Sequence, residues 1–157
     1  LGRSLKPPPE AVAFKDEEFD PNMSMREKVT QTTKAESCMT CHSIINPLGF
    51  SLENFDSIGR FRETDNGRPI ETSSEYLTVE GTTIKINDPS TLAYHAINSP
   101  SAHKRFVEML FNQVAKQPIQ AYGTNTLSQL LNGFASSKYN IKYLLVEIAV
   151  VSALKGL

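Results

Sequence analysis

Two thiols and an imidazole fall within five residues: Cys38, Met39, Thr40, Cys41 and His42. The chain has no other cysteine. A disulfide between these two would close too small a loop to stabilise much. A thioredoxin-type redox pair expects a strand, a turn and a helix, whereas the residues before Cys38 read as helix. Zinc calls for four protein ligands, and only His95, His103 and carboxylates remain, at no recognisable spacing. Cys-x-x-Cys-His is the spacing of c-type haem attachment. Two thiols three residues apart reach the two vinyl groups of one haem, and the adjacent His42 is carried beneath the ring as the proximal iron ligand. The spacing favours this chemistry over the dithiol and zinc alternatives, which stay open. Covalent attachment implies one haem c and a periplasmic or otherwise extracytoplasmic place.

A sixth iron ligand is sought among Met109, His103, His95, Met23 and Met25. Met39 lies inside the attachment loop and cannot swing to the opposite face. Met109, at the edge of an apolar helical stripe, is the first candidate, and His103, one turn before Val107, the second. Plain packing is the competing reading for both. Arg60 and Arg62 follow the motif closely, and their guanidinium forks suit haem propionates. The alternative is a solvated pair of surface charges. A turn at Pro47 is expected to set a backbone carbonyl against the free ring nitrogen of His42, orienting the imidazole and raising its basicity.

Ser24 with Glu27 forms a capping box for a helix entering near Met25 and running towards Cys38. Pro47 and Gly49 are expected to break the helix that carries the motif. Phe50, Leu52, Phe55, Ile58 and Phe61 then predict a short helix or compact turn packing on the haem or the core. Asn66-Gly67 is a turn signal, and strand pieces are expected at Tyr76–Val79 and Thr82–Ile86 around Gly81. A short helix follows Asp88-Pro89-Ser90. A second follows Pro100, with Phe106, Val107, Leu110, Phe111 and Val114 on one stripe, and ends before Pro118. Asn125 or Thr126 caps a helix bearing Leu127, Leu130, Leu131 and Phe134. The last helix, Asn140 to Lys155, is apolar almost all round and is expected deep in the core, with Gly156 near its end.

Composition limits the function classes. The chain has 157 residues, 39% of them hydrophobic, and a net charge of −1, so it can bury a core and offers no basic field for nucleic acid. The longest mostly apolar stretch, Tyr143 to Leu154, is too short to span a membrane and carries Glu147. The chain lacks an initial Met and shows no signal peptide, as expected of a processed chain, an incomplete one or a domain cut from something larger.

The stretch CMTCHSIINPLGFSLENFDSIGRFR resembles the carboxy-terminal haem-attachment domains of large planctomycete-type cytochrome c proteins. Those domains carry CxxCH followed by a segment like IDPLGFALENFDAIGRWR. The resemblance extends to LKPPPEAV, MREKV, Tyr122-Gly123 and the helical tail. Asn46 stands where the family usually has Asp, Thr32 near where many members have His, and Thr124 in place of an Arg. The resemblance implies haem c and an extracytoplasmic compartment, and no substrate.

The expected fold is mainly α: a cytochrome c-like helical haem domain with a small β-hairpin excursion and a C-terminal helical extension. The expected divisions are a Pro-rich lead-in (1–22), a haem-attachment core (23–63), a hairpin excursion (64–90) and a C-terminal helical part completing the same haem domain (91–157). The function read from these residues is single-electron transfer, with a redox protein or other subunits of a larger assembly as partner. A haem enzyme with an open, peroxide-type distal site and an interaction module stapled by haem are the alternatives.

Overall fold

The computed structural model describes residues 1–5 and 19–155, which are mainly helical with two small antiparallel hairpins. Most of the expected lead-in, including Pro7-Pro8-Pro9 and Asp16-Glu17-Glu18, lies outside the described residues, as does Gly156. The chain divides into two compact units, residues 4–96 and residues 1–3 with 97–157.

In the first unit, helix α1 spans Met25–Thr32 and starts on the expected capping box. The Ser24 amide donates to Glu27 Oε2 at 2.6 Å, and the Glu27 amide donates to Ser24 Oγ at 3.2 Å. These bonds satisfy two N–H groups that a helix start leaves open. The helix does not run on to Cys38. Thr32 and Thr33 turn their hydroxyls back onto the Val29 carbonyl, at 3.0 and 2.7 Å, and Thr33 ends the helix. Hydroxyls that bond the preceding turn compete with helix propagation. Ala35 is extended, and helix α2, Glu36–Phe50, begins after it.

Helix α2 carries the whole Cys-x-x-Cys-His motif and continues through Pro47 and Gly49, contrary to the expected break. Proline removes a single intrahelical donor, which a helix can lose near its C-terminal turn. Gly49 is not among the residues with positive φ, so it does not turn the chain there. The segment after α2 is a compact turn. The Asn54 side chain donates to the Arg62 carbonyl at 2.8 Å, and the Arg62 amide donates to the Asn54 carbonyl at 2.7 Å. Between these brackets, Phe55 pairs with Phe61 as an isolated bridge, and Gly59 takes φ +80°. That conformation suits glycine.

Strands β1 (Thr64–Asp65) and β2 (Arg68–Pro69) flank Asn66-Gly67, whose φ values of 51° and 75° are those of a tight hairpin turn. Strands β3 (Ser74–Leu77) and β4 (Thr83–Ile86) pair in the register Ser74↔Ile86 to Leu77↔Thr83. The β3 strand packs against α2. The Arg26 guanidinium donates to the carbonyls of Glu71 and Ser73 and sits 4.5 Å from the centre of the Phe50 ring, tying α1 to this region. Helix α3 spans Pro89–Asn98.

The second unit is built on α4 (Pro100–Ala115), a 3-10 turn (Ile119–Tyr122), α5 (Thr126–Ser136) and α6 (Ile141–Lys155). Ser99 caps α4, accepting the Ala102 amide at 3.2 Å, and Lys116 ends it in the left-handed conformation. Val107, Phe111, Ile119, Leu130, Phe134, Leu144 and Ile148 form one buried cluster. The stripes expected on α4 and α5 supply much of it. Helix α6 departs from expectation. Leu144 and Ile148 are buried and Val151 packs on the cluster, but Val146, Val150 and Leu154 are exposed. Among the described residues, α4, α5 and the 3-10 turn pack on one side of it.

The cysteine–histidine helix as candidate site

Cys38, Cys41 and His42 occupy the first half of α2. Residues three and four apart on a helix are neighbours, so Cys41 and His42 both lie beside Cys38. Both cysteines are free thiols and half-buried. The preceding element is α1, so the strand–turn–helix setting of a thioredoxin-type pair is absent here. Among the described residues, no group of three or more His, Cys, Asp or Glu side chains is placed to hold a metal ion. The zinc alternative therefore has no donor set there.

The half-buried His42 ring is fixed by a neighbour four residues on. His42 Nδ1 lies 2.8 Å from Asn46 Oδ1. Asn46 Nδ2 donates to Thr33 Oγ1 at 2.9 Å, and Thr33 Oγ1 donates to the Val29 carbonyl at 2.7 Å. The partner of the imidazole is thus a side chain, not the loop carbonyl expected near Pro47. Because α2 continues past Pro47, Asn46 stays at i+4 from His42 and shares its face. Neither Asn46 nor Thr33 was singled out from the sequence as a partner of His42. The i+4 spacing on an unbroken helix would have found the first. No local signal marks Thr33, which lies across a helix break.

The other expected site residues are dispersed. Arg60 Nε bonds Asp56 Oδ2 at 2.8 Å, and its side chain is largely exposed. Arg62 is more enclosed, bonding Asp65 Oδ1 at 2.9 Å and the Glu53 carbonyl at 3.2 Å. The Arg60 amide, and then its guanidinium, hold the Asp56 carboxyl below its ordinary range. Burial pushes the Glu53 carboxyl up, against the pull of Arg26 and Arg62. Met109 and His103 lie on α4, in the second unit, whereas His42 is in the first. The Met109 side chain is 57% exposed. His103 is engaged locally: Nε2 lies 2.9 Å from the Ile97 carbonyl, and its ring centre is 4.6 Å from that of Tyr139. His95, on α3, meets the edge of Tyr94, and Met25 is exposed beside the α1 cap.

Apolar surface around the motif is open. Helix α2 has no fully buried residue, and Met39 and Ile45 are exposed, as are Leu52, Phe55, Ile58 and Phe61 in the following turn. Among the described residues of this unit, only Tyr76 and Ile86 are fully buried hydrophobic side chains. The Tyr76 hydroxyl, on the strand that packs against α2, is buried without a hydrogen-bond partner in the described chain. Two thiols, one oriented imidazole, uncovered apolar surface and a buried phenolic donor together fit a flat apolar group with polar substituents, such as haem.

Residues 1–65 match the model of a family described as PSCyt3, a protein of unknown function (DUF1588). No curated protein and no solved structure matches the chain. No helix among the described residues is long and apolar enough to cross a membrane.

Proposed function

We propose that the chain is a c-type cytochrome domain that carries one haem on Cys38, Cys41 and His42 and passes single electrons to a partner protein in an extracytoplasmic compartment. The observation that carries the reading is the placement of both thiols and an imidazole on one helical face, with the imidazole already hydrogen-bonded through Nδ1. Haem supplies a one-electron couple at its iron when bound. The two cysteines hold it by thioether bonds, and His42 binds the iron. Phe55, Ile58 and Phe61 offer apolar cover, and Pro47 lies on the motif helix beside it. Arg60 has an exposed guanidinium that can leave Asp56 for a propionate, an exchange of one weak surface pair for another. Arg62 would act from its place between Asp65 and Glu53. Met109 is proposed as the distal ligand, with His103 next. The cytochrome-type family name matched by residues 1–65 supports the same reading.

The test is an absorbance spectrum in both oxidation states with a pyridine adduct, together with the intact mass after maturation. Covalent haem c adds the mass of one haem to the chain and resists extraction on a denaturing gel. Cys38→Ser and Cys41→Ser reduce that retention, the double variant abolishes it, and His42→Ala alters the ligand field. Full retention in both single-cysteine variants would overturn the assignment. Rapid binding of cyanide or peroxide to a persistent high-spin iron would replace electron transfer by the open-site enzyme.

A further inference from the structure

We propose that Thr33 and Asn46 set the tautomer of His42, so that Nδ1 carries the proton and Nε2 presents a bare lone pair as the metal-binding atom. The Val29 carbonyl can only accept, and it takes both the amide and the hydroxyl of Thr33, at 3.1 and 2.7 Å, while the Thr32 hydroxyl lies 3.0 Å from this carbonyl and from that of Lys28 and can donate to the latter. A hydroxyl has one proton. With that proton on Val29, Thr33 Oγ1 can only accept from Asn46, at 2.9 Å. The amide group of Asn46 must therefore turn its nitrogen to Thr33 and its oxygen to His42. An amide oxygen cannot donate, so the 2.8 Å contact with Nδ1 is a hydrogen bond only when Nδ1 is protonated. The other neutral tautomer would set two lone pairs against each other. Thr33 is buried, which keeps water from substituting at its end of the chain, while Asn46 and His42 are half-buried.

Thr33 and Asn46 are thus positioning residues. They act through His42, and they do so before any metal arrives. Their second effect rests on the haem reading. A neutral amide acceptor on Nδ1 makes the imidazole a weaker electron donor than a carboxylate would, so it favours the reduced iron by comparison.

The test uses the full chain with nitrogen-15 histidine, both haem-free and haem-loaded. In the haem-free chain above pH 7.5, His42 is expected to show an N–H resonance at Nδ1 and a bare Nε2. Thr33→Ser preserves this pattern. Thr33→Val, which keeps the volume but removes the acceptor, releases Asn46 and yields a mixture of tautomers. A proton on Nε2 in the unaltered chain, or an unchanged tautomer in Thr33→Val, would overturn the proposal. In the haem-loaded chain, Asn46→Asp shifts the one-electron equilibrium about tenfold towards the oxidised iron, a fall of about 59 mV. Asn46→Leu shifts it in the opposite direction. Midpoints that move the same way in both variants, or not at all, would reduce Asn46 to a packing residue and overturn the proposal. A locked tautomer in a chain that takes up no haem would sink the cytochrome reading and leave the relay standing. The converse result would sink the relay alone.

Discussion

Met109 carries the sharpest test at the scale of single residues. Its thioether would raise the potential of an iron that it bound, and an exposed methionine is otherwise dispensable. Met109→Ala is therefore expected to convert a low-spin spectrum to a high-spin or mixed one, and an unchanged spectrum would eliminate it. His103→Ala tests the second candidate, and a changed spectrum there would pass the role from Met109 to His103. That ring bonds the Ile97 carbonyl and packs on Tyr139, so its loss is expected to cost about 1 kcal/mol of stability and leave the spectrum alone. The motif itself was legible because Cys-x-x-Cys-His is local and its chemistry is fixed by spacing. The imidazole's partner was not, because finding it requires knowing that the helix survives Pro47. Thr33 needed still more. Its role depends on a break between α1 and α2 that hydroxyl back-bonding creates and that no periodicity shows.

Among the elements, the turn from Asn54 to Arg62 has its own logic. Asp56 Oδ1 accepts the amides of Ile58 and Arg60, at 3.0 and 2.9 Å, while the Asp56 amide donates to the Arg60 carbonyl. These bonds hold Ile58 and Phe61 out on the surface. Because the Arg60 amide and guanidinium lower the Asp56 pKa in the folded chain, the stability they confer is present above the unfolded value, about 3.9. It is lost as pH falls through the lower folded value. Glu53 acts in the opposite sense. Its raised carboxyl opposes folding when ionised and ceases to do so as pH falls below the folded value. Acidification below about pH 4 is thus expected to open the 54–62 turn, read as lower protection factors at the Ile58 and Arg60 amides. Asp56→Asn keeps the acceptor and removes the titration, so its protection factors, taken against the intrinsic exchange rate at each pH, should be flat across that window. Equal acid sensitivity in both proteins would contradict the account. Short-range elements of this kind were legible: the Ser24–Glu27 box and the Asn66-Gly67 turn follow from residues within four positions. The exposed side of α6 was not, because an apolar sequence does not state how many neighbours will cover it.

Across the whole molecule, the two units differ in what holds them. Seven hydrophobic side chains are buried in the cluster of α4, the 3-10 turn, α5 and α6, each worth about 1.5–3 kcal/mol relative to exposure. The described part of the 4–96 unit has two, Tyr76 and Ile86, and relies on hydrogen bonds such as those of Arg26, Asn54 and Thr33. A unit this poor in buried apolar surface is the one that a covalently tethered apolar group would stabilise by its contacts. The two should therefore part company when maturation is prevented. In haem-free full-length chain, amides of Val107, Phe111, Leu130 and Leu144 are expected to stay protected, while those of α1, α2 and the β3–β4 hairpin exchange at least a hundredfold faster than in the haem-loaded chain, about 2.7 kcal/mol of linked stability. Ile148→Ala, which opens a cavity in the second cluster, is expected to cost that unit about 2–5 kcal/mol without lowering covalent haem on Cys38 and Cys41. The pairing of results is what discriminates. Haem-independent protection throughout residues 23–96 would mean that the chain's own contacts suffice there, and the open apolar surface of α2 and the 54–62 turn would then have to face a protein partner instead of a porphyrin.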